Sequence, residues 1–193
     1  MFDRDEDALS EVRRAAELDP FSSRFNVSWA TILFFMRQYD RGIDQFQKTL
    51  ELDPNYGRPH EWLGYAYEKK GMQKETIAEW SRALNLSGAN EEASMLDHAY
   101  ARSGFEAAVG PWCKNDSNNS MRKPLAAIIS PPQIRYRLRA FGRQGPAFAW
   151  LAKAAAERNR FALEINVNPM LDPLRPDSRF EKIANQIIPA ASK

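Results

Sequence analysis

The chain has 193 residues, 44% of them apolar and 27% charged, with a net charge of +2, which is the profile of an ordinary folded chain with room for one domain and not of a disordered segment. It contains no run of 18 apolar residues that could span a bilayer, and the acidic start Met1-Phe2-Asp3-Arg4-Asp5-Glu6-Asp7 does not read as a signal peptide. A lone Cys113 excludes an internal disulfide and fits a reducing, cytoplasmic setting.

The first predicted elements are a turn over residues 3–7 and a helix over residues 8–18, which ends in Glu17-Leu18-Asp19-Pro20. That tetrapeptide recurs as Glu51-Leu52-Asp53-Pro54, 34 residues later, and another 34 residues on stands the weaker echo Asn85-Leu86-Ser87-Gly88. A fixed period of this size signals stacked supersecondary units. Upstream of each copy lies a small–large–small pattern: Ala8, Val12 and Ala15; Gly42, Phe46 and Thr49; Thr76, Trp80 and Ala83. The small positions let neighbouring helices approach, and the middle one is a knob between them. Helices are accordingly predicted over 22–37, with Ser22 or Ser23 as N-cap, then over 40–52, 56–70, 74–86 and 92–103.

Residues 8–18 make only the second half of a pair. They either cap the stack themselves or leave an open half-repeat that an upstream segment or another chain would cover, so self-association through that end is an expectation.

Beyond residue 103 the pattern weakens. Gly110-Pro111 interrupts the expected partner helix, and Asn115-Asp116-Ser117-Asn118-Asn119-Ser120 reads as a polar loop within an irregular stretch, 116–130. Residues 131–160 read as a degenerate repeat. Ile134-Arg135-Tyr136-Arg137-Leu138-Arg139 alternates as a strand would, whereas the repeat register favours a helix with Ile134, Leu138 and Phe141 on one face. The Ala-rich 146–158 is predicted helical. Residues 161–193 are expected to form an extended segment followed by a capping helix, with Ser178 and Glu181 as a capping box and Phe180, Ile183, Ala184, Ile187 and Ile188 as its apolar stripe.

The segment His60-x2-Leu63-Gly64-x2-Tyr67 with Gly71, preceded by Asn26-x2-Trp29-Ala30-x2-Leu33 and followed by Ala93-x2-Leu96-Asp97-x2-Tyr100, resembles the first-helix signature of the tetratricopeptide repeat. His60 departs from the family's Trp, and Asp97 from its small residue. Regular repeats are expected over 3–115. The resemblance implies an all-α fold: a right-handed α-α superhelix of about three and a half to four helix pairs with a C-terminal capping helix. Ala147-Phe148-Ala149-Trp150-Leu151, Glu157-Arg158-Asn159, Asp172-Pro173-Leu174-Arg175 and Arg179-Phe180 further resemble the C-terminal end of bacterial multidomain regulators, in which such repeats follow a winged-helix, Ser/Thr kinase or adenylate-cyclase domain. Arg135 and Arg139 depart from the small residues usual there.

The two histidines, His60 and His98, lie in different repeats, and the sequence has neither a metal-ligand motif nor a phosphate-cradling glycine loop. The expectation is a non-catalytic scaffold without a cofactor, binding a protein or peptide. The resemblance puts the binding surface on the concave face, lined by the first helix of each pair: Arg24, Val27, Thr31 and Phe34; Arg58, Glu61, Tyr65 and Glu68; Ser94, His98 and Arg102. Family members that clamp acidic chaperone tails carry Lys and Asn where this chain has Val27/Thr31, Glu61/Tyr65 and Ser94/His98, so no such binding is expected. Arg135, Arg139 and Arg143 recur every fourth residue. As a helical stripe they offer a rival reading, contact with nucleic acid or another anionic partner.

Overall fold

The structure is a computed structural model that describes residues 2–109, 145–156 and 164–187. Among the described residues every regular element is helical, and none is long and apolar enough to cross a membrane. The chain divides into two compact units, described here in residues 2–108 and in 145–156 with 164–187.

The first unit is a run of antiparallel helices joined by short turns: α1 (Phe2–Leu18), α2 (Ser23–Phe35), α3 (Tyr39–Leu52), α4 (Gly57–Lys69), α5 (Gln73–Leu86) and α6 (Asn90–Val109). Its tightest packing joins α2 to α3 and α4 to α5, the two complete pairs. α1 begins at Phe2, so the turn expected over 3–7 is instead helix.

Two kinds of turn alternate along this unit. Between pairs, Asp19-Pro20-Phe21-Ser22 and Asp53-Pro54-Asn55-Tyr56 are β-turns with Pro second, closed by Ser22 N–H to Asp19 O (3.1 Å) and Tyr56 N–H to Asp53 O (3.2 Å). Within pairs, a residue of positive φ ends the first helix: Arg37 (61°), Gly71 (76°) and Gly104 (78°). The following amide of the first two reaches back in a Schellman arrangement, Gln38 to Leu33 O and Met72 to Tyr67 O, each at 2.9 Å. Gly104 is the break inside α6, where the third pair turns. The turn from α5 to α6 is the exception among the between-pair turns. It too is closed in the Schellman manner, by Gly88 (φ 84°) and Ala89 N–H to Leu84 O (3.0 Å), with one residue fewer than its Pro counterparts.

The knobs sit where the small–large–small pattern puts them. Phe46 and Trp80 are buried, as are the flanking Gly42, Thr49, Thr76 and Ala83. A Cβ at Gly64 would overlap the Trp80 indole, so the glycine is the hole that receives this knob. Rings then link repeat to repeat. Phe34 and Phe35 meet Trp62 at 5.2 and 5.6 Å, Trp62 meets Tyr65 at 5.7 Å, Tyr65 meets Trp80 at 5.6 Å, and Trp80 stacks near Phe105 at 6.5 Å. All but the last are edge-to-face, the favoured aromatic geometry.

The second unit has its own core. Helix α7 (Gly145–Ala156) contributes Phe148 and Leu151, and helix α8 (Ser178–Ile187) contributes Phe180, Ile183 and Ala184. Between them in sequence, a 3-10 helix (Pro169–Leu174) stands where an extended segment was expected. Its Leu171 and Leu174, with Ile165, complete the cluster. Asn168 caps it, accepting from Met170 N–H at 2.9 Å, and Pro169 supplies the first-turn φ without needing a donor. The cap of α8 is Asp177 and not the expected Ser178. Its Oδ1 accepts the backbone N–H of Arg179 (2.9 Å), and its carboxylate also binds the Arg179 guanidinium (2.7 Å). Those bonds hold the Asp177 carboxyl down at about 2. The calls on 110–144, including the polar loop, the helix-or-strand stretch and the stripe Arg135, Arg139 and Arg143, fall outside the described residues, as does Ile188.

Candidate functional site

The first helices α2, α4 and the front of α6 carry the residues expected on a binding face. Their spacing of three or four places each set along one side of its helix. The structure divides them by depth. Val27, Phe34, Tyr65 and Glu68 are buried and present almost no surface. Arg24, Arg58, Ser94, His98 and Arg102 are exposed, and Thr31 and Glu61 are half-buried. The accessible part of the face is therefore more polar and more charged than its sequence register suggested. Thr31 spends its hydroxyl on Val27 O (2.8 Å).

Glu61 is the chemically distinctive member. Its Oε1 accepts from Tyr65 Oη at 3.3 Å. Burial pushes its carboxyl up to about 8, against the opposing pull of the Arg58 guanidinium and the Tyr65 hydrogen bond. Near neutral pH it is largely protonated, so it can donate a hydrogen bond as well as accept one. Sequence reading missed this because nothing in the spacing of Glu61 tells how far its neighbours withdraw it from water.

A second group of residues escaped the sequence reading because it spans two helices. Asn26 and Gln45 bond at 2.7 Å between α2 and α3, and Asn26 Nδ2 also donates to Pro20 O and Ser22 O, each at 3.0 Å. One period later the same two places hold His60 and Glu79, whose Nδ1 and Oε2 lie 2.6 Å apart. The departure of His60 from the family's Trp thus has a structural purpose, a polar tie between the helices of a pair. His60 stands on this tie and not among the exposed residues of the face.

On another side, α1 and the α2–α3 turn enclose an open cleft of about 670 Å³ lined by Leu9, Ser10, Arg13, Arg14, Glu17, Met36, Gln38 and Arg41. Arg13 there is matched by Glu17 at 2.9 Å.

No family model matches the chain. It is similar to the small glutamine-rich tetratricopeptide repeat-containing protein 2 of Saccharomyces cerevisiae, 23% identical over 103 residues, which is 53% of this chain and 30% of that protein. The protein of the same name from Mycosarcoma maydis is 25% identical over 84 residues, 44% of this chain and 24% of its own length. The chain thus spans less than a third of the length of the curated relatives it matches. Paired antiparallel helices on a 34-residue period, together with these two relatives, support a tetratricopeptide-like repeat protein.

Proposed function

We propose that this chain is a non-catalytic interaction scaffold that binds an extended peptide segment of a protein partner along the side formed by α2, α4 and the front of α6. The observation that carries the reading is a side of accessible polar residues on the first helices, of which Arg24 and Arg58 recur at the same place. Arg24 and Arg58 are both exposed one period apart, Thr31 and Glu61 are half-buried, and Ser94, His98 and Arg102 are exposed. A row of this kind suits a chain that offers carbonyls and side chains at regular intervals. The protonated Glu61 supplies a donor for a peptide carbonyl, and the two arginines favour acidic side chains. The resemblance of residues 147–180 to the ends of multidomain regulators supports the same role, as an interaction part and not an output part.

The test is selection from a displayed peptide library against the full chain, followed by titration of the selected peptides. Arg24→Glu and Arg58→Glu together are expected to weaken them at least tenfold. Unchanged affinities in that variant, with the fold intact by circular dichroism, would refute this placement. Peptides ending in acidic chaperone-type tails are expected to show no low-micromolar binding, since the Lys and Asn positions of such clamps are occupied here by Val27, Thr31, Glu61, Tyr65, Ser94 and His98.

A further inference from the structure

The cleft between α1 and the α2–α3 turn gathers cations around an open space. Arg13, Arg14 and Arg41 line it against a single carboxylate, Glu17. The i, i+4 spacings of Arg13 with Glu17 and of Ser10 with Arg14 set these residues on the side of α1 opposite Ala8 and Ala15. Arg41 stands across from them in the first turn of α3. All three arginines are exposed. The cleft is complete within residues 9–41.

Pairing inside the cleft leaves positive charge over. Arg13 is matched by Glu17 at 2.9 Å. Arg41 donates to Gln38 Oε1, a neutral acceptor. Arg14 has no carboxylate partner among the described residues. Asp40, the acid in the first turn of α3, is taken by Lys70 at the end of α4. The start of α3 adds the positive end of its helix dipole to the same wall. Arg37, exposed in the turn, brings a further cation at a left-handed φ of 61°, for which the matching turns use Gly71 and Gly104.

The repeat shows that its register does not require this surplus. One period on, the places of Ser10, Arg14, Glu17, Met36 and Arg41 hold Asp44, Lys48, Glu51, Lys70 and Glu75, so acids outnumber bases. The polar groups there close on one another: Lys70 binds Asp40, and Gln47, at the place of Arg13, donates to Tyr67 Oη at 3.1 Å. The positive cleft is a property of these residues and not of the architecture.

The lining also states which anion fits. Three arginines less one carboxylate leave two positive charges, and a phosphomonoester carries about −1.5 to −2 near neutral pH. Guanidinium forks bind phosphate oxygens in pairs. Leu9 and Met36, both half-buried, offer an apolar wall for a side chain next to the phosphate. No aromatic ring lines the cleft, so a nucleobase would find no surface to stack on. A volume of about 670 Å³ accommodates a short stretch of peptide.

We propose that this cleft binds a phosphoserine or phosphothreonine side chain of a partner protein, with an apolar residue of the partner beside it against Leu9 and Met36. This surface is separate from the peptide-binding side formed by α2, α4 and α6, and either can fail without the other.

The probe is a pair of peptide pools with randomised flanks, identical except for phosphoserine or serine at the centre, titrated against the full chain. The phosphoserine pool is expected to bind at least tenfold more tightly, and the peptides selected from it should be enriched in Leu, Ile, Val or Met next to the phosphoserine. Arg14→Glu with Arg41→Glu is expected to abolish that preference with the circular dichroism unchanged. Arg14→Lys with Arg41→Lys, which keeps the charge and removes the fork, should weaken it. Glu17→Gln, which releases Arg13, should tighten the phosphoserine pool at least twofold and serves if the charge-reversed variant does not fold. Arg24→Glu with Arg58→Glu should leave the preference unaltered. Equal binding of the two pools, or a preference that survives Arg14→Glu with Arg41→Glu in a folded chain, would overturn the proposal. Sedimentation with vesicles containing phosphatidylinositol bisphosphate, lost in that variant and accompanied by no preference between the pools, would overturn it in favour of a lipid headgroup.

Discussion

Trp80 concentrates the packing of the first unit. It lies against Gly64, Tyr65 and Phe105 and is 2% exposed, so Trp80→Ala should cost ~3–5 kcal/mol in chemical unfolding. The complementary change, Gly64→Ala, forces a methyl into the indole and should cost about 1–3 kcal/mol. An unaltered midpoint in either variant would contradict the knob and its hole. Glu61 gives a pH signature. Its folded carboxyl, raised to about 8 from 4.5, holds a proton that the unfolded chain releases. Between those values the folded state binds more protons, so stability falls as pH rises from about 5 to 8, by on the order of a few kcal/mol. Glu61→Gln should flatten that dependence in thermal melts, and a parallel slope in the variant would assign it to other groups. At this scale the sequence was informative about knobs and poor about depth. The spacing of Ala8, Val12 and Ala15 and its repeats located Phe46 and Trp80 correctly. The same register could not tell that Val27, Phe34, Tyr65 and Glu68 are buried, because depth depends on side chains contributed by neighbouring helices, such as Trp62 against Phe34.

Among elements, α8 is held by its apolar stripe and by Asp177, whose carboxylate satisfies the Arg179 amide and guanidinium together. Deleting residues 178–193 removes Phe180, Ile183 and Ala184 from a cluster that also contains Phe148, Leu151, Leu171 and Leu174. Those four would meet water, and the truncated chain should associate at micromolar concentration in light scattering. A monodisperse monomer after truncation would mean that another segment covers them. Helix existence was legible here from apolar spacing, whereas the cap was misplaced by one residue. Ser178 and Glu181 match a capping box by type, but Asp177 offers the stronger acceptor one place earlier, and Arg179 secures it. The 3-10 helix was missed because three prolines between residues 169 and 176 suggested an extended chain, while Pro169 sits at a first-turn place and so starts a helical turn.

On the scale of the whole molecule, stability in stacked repeats comes from each helix and its neighbours. α4 and α5 have packed helices on both sides within the first unit, whereas α1 has one uncovered side. Amide exchange should therefore be slowest in α4 and α5 and fastest in α1, as read by mass spectrometry of fragments. Equal protection along the unit would mean that it opens only as a whole. The periodicity announced this layout because most turns repeat it in letters, Asp-Pro in the first two turns between pairs and Gly or Arg37 within pairs, with Gly88 the exception. It did not announce a division into two units, because the interruption at Gly110-Pro111 carries no indication of which helices lie together beyond it.

The turn at Gly88 has a consequence for how the chain can change by insertion and deletion. Pro20 and Pro54 hold a four-residue connection between helices, whereas Gly88 holds a three-residue one, because only the glycine turns left-handed there. Connector length and residue identity are thus a single heritable trait. Any template of constant 34-residue stride falls one step out of phase at that point, as the 33-residue interval from Gly71 to Gly104 records. Gly88→Pro alone should unfold the α5–α6 junction, while Gly88→Pro with one residue inserted after it should restore the native melting temperature.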